Sequence, residues 1–394
     1  MSKVAEIDIL HVVNEFMIGK GWKGRSCSAC GRTFFIKASS QIDTSICGWH
    51  KCDKGEYPFR TYVKRKKMAT PAEVCTKIEE YFRSTGFGLS MPLNVANTEG
   101  QTDLIVAGVQ MFDAIIHRSQ PIQEGEMFVA QPCVRMQFQQ LVESHEGTST
   151  SFVNVCTEKM NATLREHLNA VDSWCTILSR LGLHMNDFII VMRSSVNDWG
   201  TGEFSAFELF FSYGGLELGD AAYLSVPQPS REPIPISDIG FGLERIVWAM
   251  NKTDSYFDTL IPLTSDGPKE MFDCCRTLAL LALCGVQASN KGPGLQFRRF
   301  SKVLSEKYYR DDVQHILSCY FDYWAQFIQP VVSRDAALPL VRLETERFVN
   351  LKVSVALKLP PPHVETTEAY FNRLVYTYGI SIHELRKAIQ ACKT

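Results

Sequence analysis

Three β-patterned runs, Phe188–Met192, Phe207–Tyr213 and Ala221–Val226, follow one another and are joined by short breaks rather than by helices. That succession constrains the fold more than any other feature of the chain. Parallel neighbours need a crossover of a dozen or more residues, usually a helix, whereas antiparallel neighbours need only a turn. Gly214-Gly215 separates the last two runs as a turn or bulge would. The expected sheet is therefore antiparallel and the class α+β.

Helices flank these runs. Thr70-Pro71-Ala72-Glu73 has a capping residue, a proline suited to the first helical position and the glutamate of a capping box. Val74, Ile78, Tyr81 and Phe82 then share one apolar face, and Gly86 ends the segment. A second helix spans about 163–181, with Leu164, Leu168, Val171, Cys175, Leu178 and Leu181 as its stripe. After about residue 261 the pattern is almost wholly helical, with segments near 268–284, 294–308, 310–328, 338–352 and 366–392. Three regions result: 1–68, with a cysteine cluster; 69–260, mixed; and 261–394, helical. Tyr308, Tyr309, Tyr320 and Trp324 fall at helical spacings and read as core, as do Cys274, Cys275 and Cys284.

With 394 residues and 45% hydrophobic content, the chain can bury a large core and form two or three domains. Its net charge of -2 excludes a whole-surface basic field, so any nucleic acid must be held by a local patch. The basic run Lys64–Lys67 is either a solvated linker or such a contact. The start has no basic segment leading into an apolar run, and the longest strongly apolar stretch, Leu278–Val286, is too short to span a bilayer. A cytoplasmic protein with reduced thiols and no membrane partner is expected.

There are 13 cysteines. Cys27-x2-Cys30 and Cys47-x4-Cys52 form two close pairs that can place four thiolates around one tetrahedral ion, which zinc fits best. The alternatives are buried free thiols, or His50 replacing Cys47 or Cys52. Four ligands leave no open position, so the expected zinc is structural and stabilises a segment too small to fold alone.

Two arginines stand at element ends. Gln131-Pro132-Cys133-Val134-Arg135 presents one at the end of an apolar strand. Ser237-Asp238-Ile239-Gly240-Phe241-Gly242-Leu243-Glu244-Arg245-Ile246 runs into a helix and places the other in its first turns. Glycines there let a ligand approach the backbone. Two separated guanidiniums, permanently charged and bidentate, suit a bent triphosphate.

In this order the two stretches resemble motifs 2 and 3 of class II aminoacyl-tRNA synthetases, and most closely those of archaeal-type alanyl-tRNA synthetases. QPCVR has the form of motif 2 there, and SDIGFGLERIVWAMN is similar to motif 3 almost throughout. Phe207-Glu208 and Gly215-Leu216-Glu217-Leu218 resemble the strands between, and the cysteine pairs the amino-terminal zinc module. Asp273 to Ala279, Ala288 to Gly294, Arg298-Arg299 and Thr377-Tyr378-Gly379-Ile380 resemble the helical tRNA-recognition region. The resemblance covers nearly the whole chain.

It implies a class II antiparallel sheet and a set of roles. Arg135 would hold the α-phosphate, Arg245 the ATP tail, and Phe152 a face of the adenine, with Gly242 also lining the ATP site. Asp238 would pair with the substrate ammonium. Gly240, Asp220 and Trp199 would line the amino-acid pocket, and Asn290, Arg298, Arg299 and Tyr376 the tRNA side. Magnesium would enter with ATP. The attacking carboxylate is already ionised, so positioning and electrostatics would carry the chemistry.

Four departures accompany the resemblance. Gly147-Thr-Ser-Thr-Ser151-Phe152 replaces a stretch that carries an Arg-His pair in the family. Asp220 stands in place of Asn or Thr, and Tyr376 in place of an acceptor-stem-reading aspartate. The chain stops at 394, where the family continues into editing and oligomerising regions. The expectation is a specialised paralogue that forms an aminoacyl-adenylate from a small amino acid, alanine first, and charges a tRNA. The alternatives are transfer to a carrier protein or small amine, or a non-catalytic tRNA-binding role. The oligomeric state is left open.

Overall fold

Gly214 and Gly215 turn the chain between two long strands in backbone conformations that L side chains avoid, with φ of +48° and +87°. In the computed structural model this turn lies at the centre of a large sheet. The structure describes residues 3–48, 57–64, 67–96, 102–118, 124–198, 203–228, 231–260, 267–308, 313–357, 368–370 and 372–373. Two compact units are found, Met1–Thr264 with Gln326–Ile328, and Ser265–Ala325 with Gln329–Thr394.

The first unit begins with helix α1 (Lys3–Gly19), the hairpin β1 (Trp22–Ser26) and β2 (Thr33–Lys37), and helix α2 (Pro71–Ser84). The short strand β3 (Gly88–Leu89), helix α3 (Asp113–Arg118), β4 (Met127–Val134), β5 (Ser151–Met160) and helix α4 (Leu164–Arg180) follow. Then come β6 (Phe188–Asp198), β7 (Glu203–Tyr213), β8 (Leu216–Gln228), β9 (Arg231–Gly242), α5 (Leu243–Asn251) and α6 (Phe257–Leu260). The strands form one nine-stranded sheet in the order β1-β2-β6-β7-β8-β9-β5-β4-β3. Every pairing is antiparallel except β3 with β4. The α+β antiparallel architecture read from the short breaks is present. The three runs are longer than their apolar patterns, because ladder pairing carries polar residues such as Ser194, Ser195 and Asn197 beyond them.

Local signals set the helices that cover the sheet. Thr70 caps α2, with Glu73 N donating to its Oγ1 at 3.2 Å and its own N donating to Glu73 Oε2 at 3.0 Å. Val74, Cys75, Ile78 and Phe82 are buried beneath. An equivalent box, Thr163 with Glu166, opens α4. The buried face of α4 is centred on Trp174, with Leu164 and Cys175 only half-buried, so it is rotated from the stripe read in the sequence. Trp174 Nε1 donates to Thr157 Oγ1 at 2.8 Å, and His167 Nδ1 meets Ser237 Oγ at 2.8 Å. These bonds tie α4 to β5 and β9.

The cysteine-bearing hairpin β1–β2 joins the sheet through Phe34 and Phe35 opposite Val191 and Ile190 of β6. The metal-type segment is thus stitched to the sheet by backbone hydrogen bonds.

The second unit contains helices α7 (Lys269–Leu283), α8 (Gly292–Lys307), α9 (Val313–Trp324) and α10 (Arg334–Leu357). Residues Met271–Leu283 of α7 are buried throughout. Arg276, fully buried, lies 4.2 Å from the Tyr323 ring centroid and 4.4 Å from that of Trp324, whose Nε1 donates to the Arg276 carbonyl at 2.8 Å. No helix among the described residues is long and apolar enough to cross a membrane.

Candidate active site

Side chains alternate across a strand, so residues two apart share a face. On β9 that rule groups Asp238, Gly240 and Gly242. Register then sets Glu158, Cys156 and Asn154 of β5 against them, and Asp220 of β8 against Gly240. Phe152 continues the β5 series towards Arg135, the first residue after β4.

A cleft of about 400 Å³ lies over this face. Arg135, Phe152, Asp220, Asp238, Gly240, Gly242 and Arg245 all line it. Trp199 lies outside the described residues. Glycine is required on the floor. A Cβ on Gly219 would stand 2.1 Å from the Gly240 carbonyl oxygen, and one on Gly240 would stand 2.7 Å from Asn154 Oδ1.

The two arginines are held in place by backbone. Arg135 Nε donates to the Val106 carbonyl at 2.8 Å, and its guanidinium lies 5.0 Å from the Phe152 ring centroid. Arg245 Nε donates to the Gly147 carbonyl at 2.8 Å and Nη1 to that of Glu217 at 3.0 Å. Glu217 Oε1 lies 3.8 Å from Arg245 Nη1. Glu244, beside Arg245 in sequence, faces inward and accepts from Val153 N at 3.0 and 3.1 Å, which fixes the start of α5 on β5. Both guanidiniums keep donors for an anionic ligand.

The other end of the cleft is acidic. Asp220 and Asp238 are half-buried and open to the cleft, while Glu158 beneath them is 1% exposed. Burial, then the Asp238 charge, push the Glu158 carboxyl well above the usual carboxylate range. Asp220 is raised for the same two reasons. Burial raises Asp238 only to about 6, because the Glu158 hydrogen bond and the Arg135 charge act against it. Glu208 nearby is held by Arg193 Nε at 2.9 Å and Ser195 Oγ at 2.8 Å. One end thus suits phosphates and the other an ammonium group.

Several residues in and beneath the cleft escaped the sequence reading. Glu158 and Asn154 could have been found from the period-2 series that starts at Phe152. His145 lines the cleft from the turn before Gly147 and meets Ser144 Oγ at 2.8 Å. An imidazole is therefore present in the cleft although the Arg-His pair that the sequence resemblance led one to expect is not. Tyr57, Cys47 and Gly48 reach the cleft from the cysteine-bearing segment, and nothing in their local pattern announced it.

The ligating atoms of Cys27, Cys30 and Cys47 lie within 4.8 Å of one another. Burial works to raise the Cys27 thiol, but the backbone N–H groups of Cys47, Ala29 and Cys30 and the Cys30 side chain outweigh it and hold it at about 6. Three converging sulfurs, one readily ionised, fit zinc. Cys52 and His50 lie outside the described residues.

In the helical unit, Asn290 and Arg299 are exposed. Arg298 is engaged by Asn290 Oδ1 and by Glu344 Oε1, the latter at 3.2 Å. Tyr376 lies outside the described residues.

In sequence the chain resembles archaeal alanyl-tRNA synthetases. It is 23% identical over 290 residues to the alanine–tRNA ligase of Halobacterium salinarum, covering 65% of this chain and 29% of that one. It is 22% identical over 278 residues to the alanine–tRNA ligase of Thermoplasma acidophilum, covering 66% and 30%. A solved pyrrolysyl tRNA synthetase of Desulfitobacterium hafniense matches with a TM-score of 0.34 and 18% identity, over 49% of this chain and 71% of that one. No protein-family model matches the chain. The chain spans less than a third of the length of the curated relatives it matches.

Proposed function

We propose that this chain activates a small amino acid with ATP, alanine being the first candidate, and passes the acyl group to a tRNA. The observation that carries the reading is the convergence of Arg135, Phe152, Asp238 and Arg245 on one cleft. The sequence similarity to alanine–tRNA ligases supports it.

In this reading Asp238 binds the substrate ammonium and turns its carboxylate towards the α-phosphate. A carboxylate oxygen attacks phosphorus, the new O–P bond forms, and the bond to pyrophosphate breaks. Arg135 stabilises charge on the α-phosphate, Arg245 holds the tail, and Phe152 supports the adenine. Gly240 and Gly242 keep the floor low enough for both substrates. No protein base is needed, and the rate comes from orientation and preplaced charge. Glu217 and Glu146 offer the cleft oxygen donors of the class magnesium takes. When bound with ATP, magnesium neutralises phosphate charge.

The proposed division of labour follows the chain: 1–68 for the structural zinc, 69–260 for activation, 261–394 for the acceptor. Asn290, Arg298, Arg299 and Tyr376 form the proposed acceptor side, with Arg298 working through its bond to Asn290. The deciding experiment is amino-acid-dependent exchange of labelled pyrophosphate into ATP, run over a full amino-acid panel. Exchange with one small amino acid is expected, and no exchange with any amino acid overturns the reading.

A further inference from the structure

Glu158 has no part in the chemistry above, yet it sits under the centre of it. It lies on β5 directly opposite Asp238 of β9. Residues paired across antiparallel strands point to the same face, so its carboxyl lies beneath the floor, next to the proposed ammonium-binding position. It is 1% exposed with both of its oxygens buried, and the hydrogen-bonding groups that act on it are the Asp238 carboxyl and the Cys156 thiol. The Gly108 backbone closes over it: a Cβ there would stand 2.9 Å from Glu158 Oε1.

The groups acting on it are the Asp238 carboxyl, the Cys156 thiol of its own strand and Asp220 from β8. Asp238 in turn feels Arg135 from the end of β4 and Glu208 from β7. Two carboxyls facing each other at such a site, one sealed and one half-buried, do not both ionise, because each would present only acceptors to the other. The surroundings decide which holds the proton. Asp238 opens to the cleft and has the Arg135 guanidinium acting on it, while Glu158 is sealed and the largest influences on it are burial and other acids. The proton belongs on Glu158 and the charge on Asp238.

We propose that Glu158 is a positioning residue for ammonium recognition: its neutral carboxyl donates a hydrogen bond to Asp238, holds that carboxylate towards the cleft and keeps the pair at one negative charge, the complement of one ammonium group. This rests on the reading of Asp238 as the partner of the substrate amine. It assigns a function to a buried acid that would otherwise only weaken the sheet. It also sets the acid limit of substrate binding, since ammonium pairing ends when Asp238 takes up a proton of its own.

The test compares Glu158→Gln, which keeps a neutral donor of similar shape, with Glu158→Ala, which removes it. Amino-acid KM and kcat are measured by pyrophosphate exchange from about pH 5 to about pH 8. The Gln variant keeps KM within about threefold of wild type, with an unmoved acid limb. In the Ala variant KM rises about tenfold at neutral pH with little change in kcat, as expected for one lost hydrogen bond to a charged group. Its acid limb moves to higher pH, since Asp238 has lost the bond that favoured its charge. Equal damage in both variants, or an unmoved limb in the Ala variant, overturns the proposal. Infrared difference spectroscopy of substrate-free wild type against Glu158→Gln supplies an independent readout. A protonated-carboxyl band at neutral pH, lost in the variant, supports the shared proton even if no amino acid is exchanged, a result that would overturn the enzymatic reading instead. A missing band overturns the proposal whatever the exchange shows.

Discussion

The Arg135 guanidinium lies over the Phe152 ring, 5.0 Å from its centroid, across the end of the β4–β5 pair. Its Nε is committed to the Val106 carbonyl, which aims the two remaining nitrogens. A planar, preplaced cation of this kind is what developing phosphate charge requires. Arg135→Ala is expected to lower kcat for exchange by on the order of 10²–10³-fold, as for loss of one preorganised donor. Arg135→Lys keeps charge but neither the fork nor the stacking, and should recover only part of the loss. Full activity in the Lys variant would show that a point charge suffices.

Asp238→Ala is expected to abolish amino-acid activation while ATP affinity, measured by calorimetry, stays nearly constant. One charge-assisted bond of this type contributes roughly 2–4 kcal/mol, a loss of about 30-fold or more in kcat/KM for the amino acid. Unchanged activation would move the amine site, with Asp220 as the next candidate.

Metal analysis of purified protein should give one zinc per chain, and Cys47→Ser should lose it. The thiolates bind as zinc ligands only when deprotonated, so affinity should fall as pH drops through the Cys27 value of about 6. Because Cys47 and Gly48 also line the cleft, metal loss should weaken ATP binding as well as lower the melting temperature. Protein with no zinc and an unchanged melting temperature would remove the site.

His167 gives a pH dependence with a definite sign. Burial lowers its pKa to about 3, below the ordinary 6.5. The unfolded chain therefore binds the extra proton first, and stability is lost as pH falls from about 6.5 towards 3. The limit is about 4 kcal/mol at pH 3. Glu158, Asp220 and Asp238, raised in the folded chain, act in the opposite sense. His167→Asn, which retains a partner for Ser237, isolates the histidine. The gap between variant and wild-type denaturation midpoints should change in the variant's favour as pH falls, and a constant gap would assign the acid loss elsewhere.

Tyr376 belongs to the proposed acceptor side, at a position where the sequence resemblance leads to the expectation of an aspartate accepting from a base amino group, and a phenol cannot reproduce a carboxylate's geometry. We expect alanine tRNA and a version with its acceptor-stem identity pair exchanged to be charged with similar efficiency. Loss of one such contact is worth about 1–3 kcal/mol of discrimination. Efficient charging of the first with strong rejection of the second would defeat this.

Local sequence determined a good deal of this molecule. The short breaks between 188 and 226 required antiparallel neighbours, and Gly214-Gly215 turns the chain where the pattern broke. Thr70 and Glu73 opened a helix. These are local statements, because a turn, a cap and a strand period are each written in a few adjacent residues. Register between β5, β8 and β9 is not local, and it alone put Glu158 against Asp238 and Asp220 against Gly240. Burial is not local either. It separated a sealed acid from two cleft-facing ones, brought Cys47 to the cleft wall, and engaged Arg298 with Asn290 and Glu344. The physical reason is that a side chain's charge state and partners depend on what other strands and helices bring to it, and that is fixed only when the whole sheet is paired and covered.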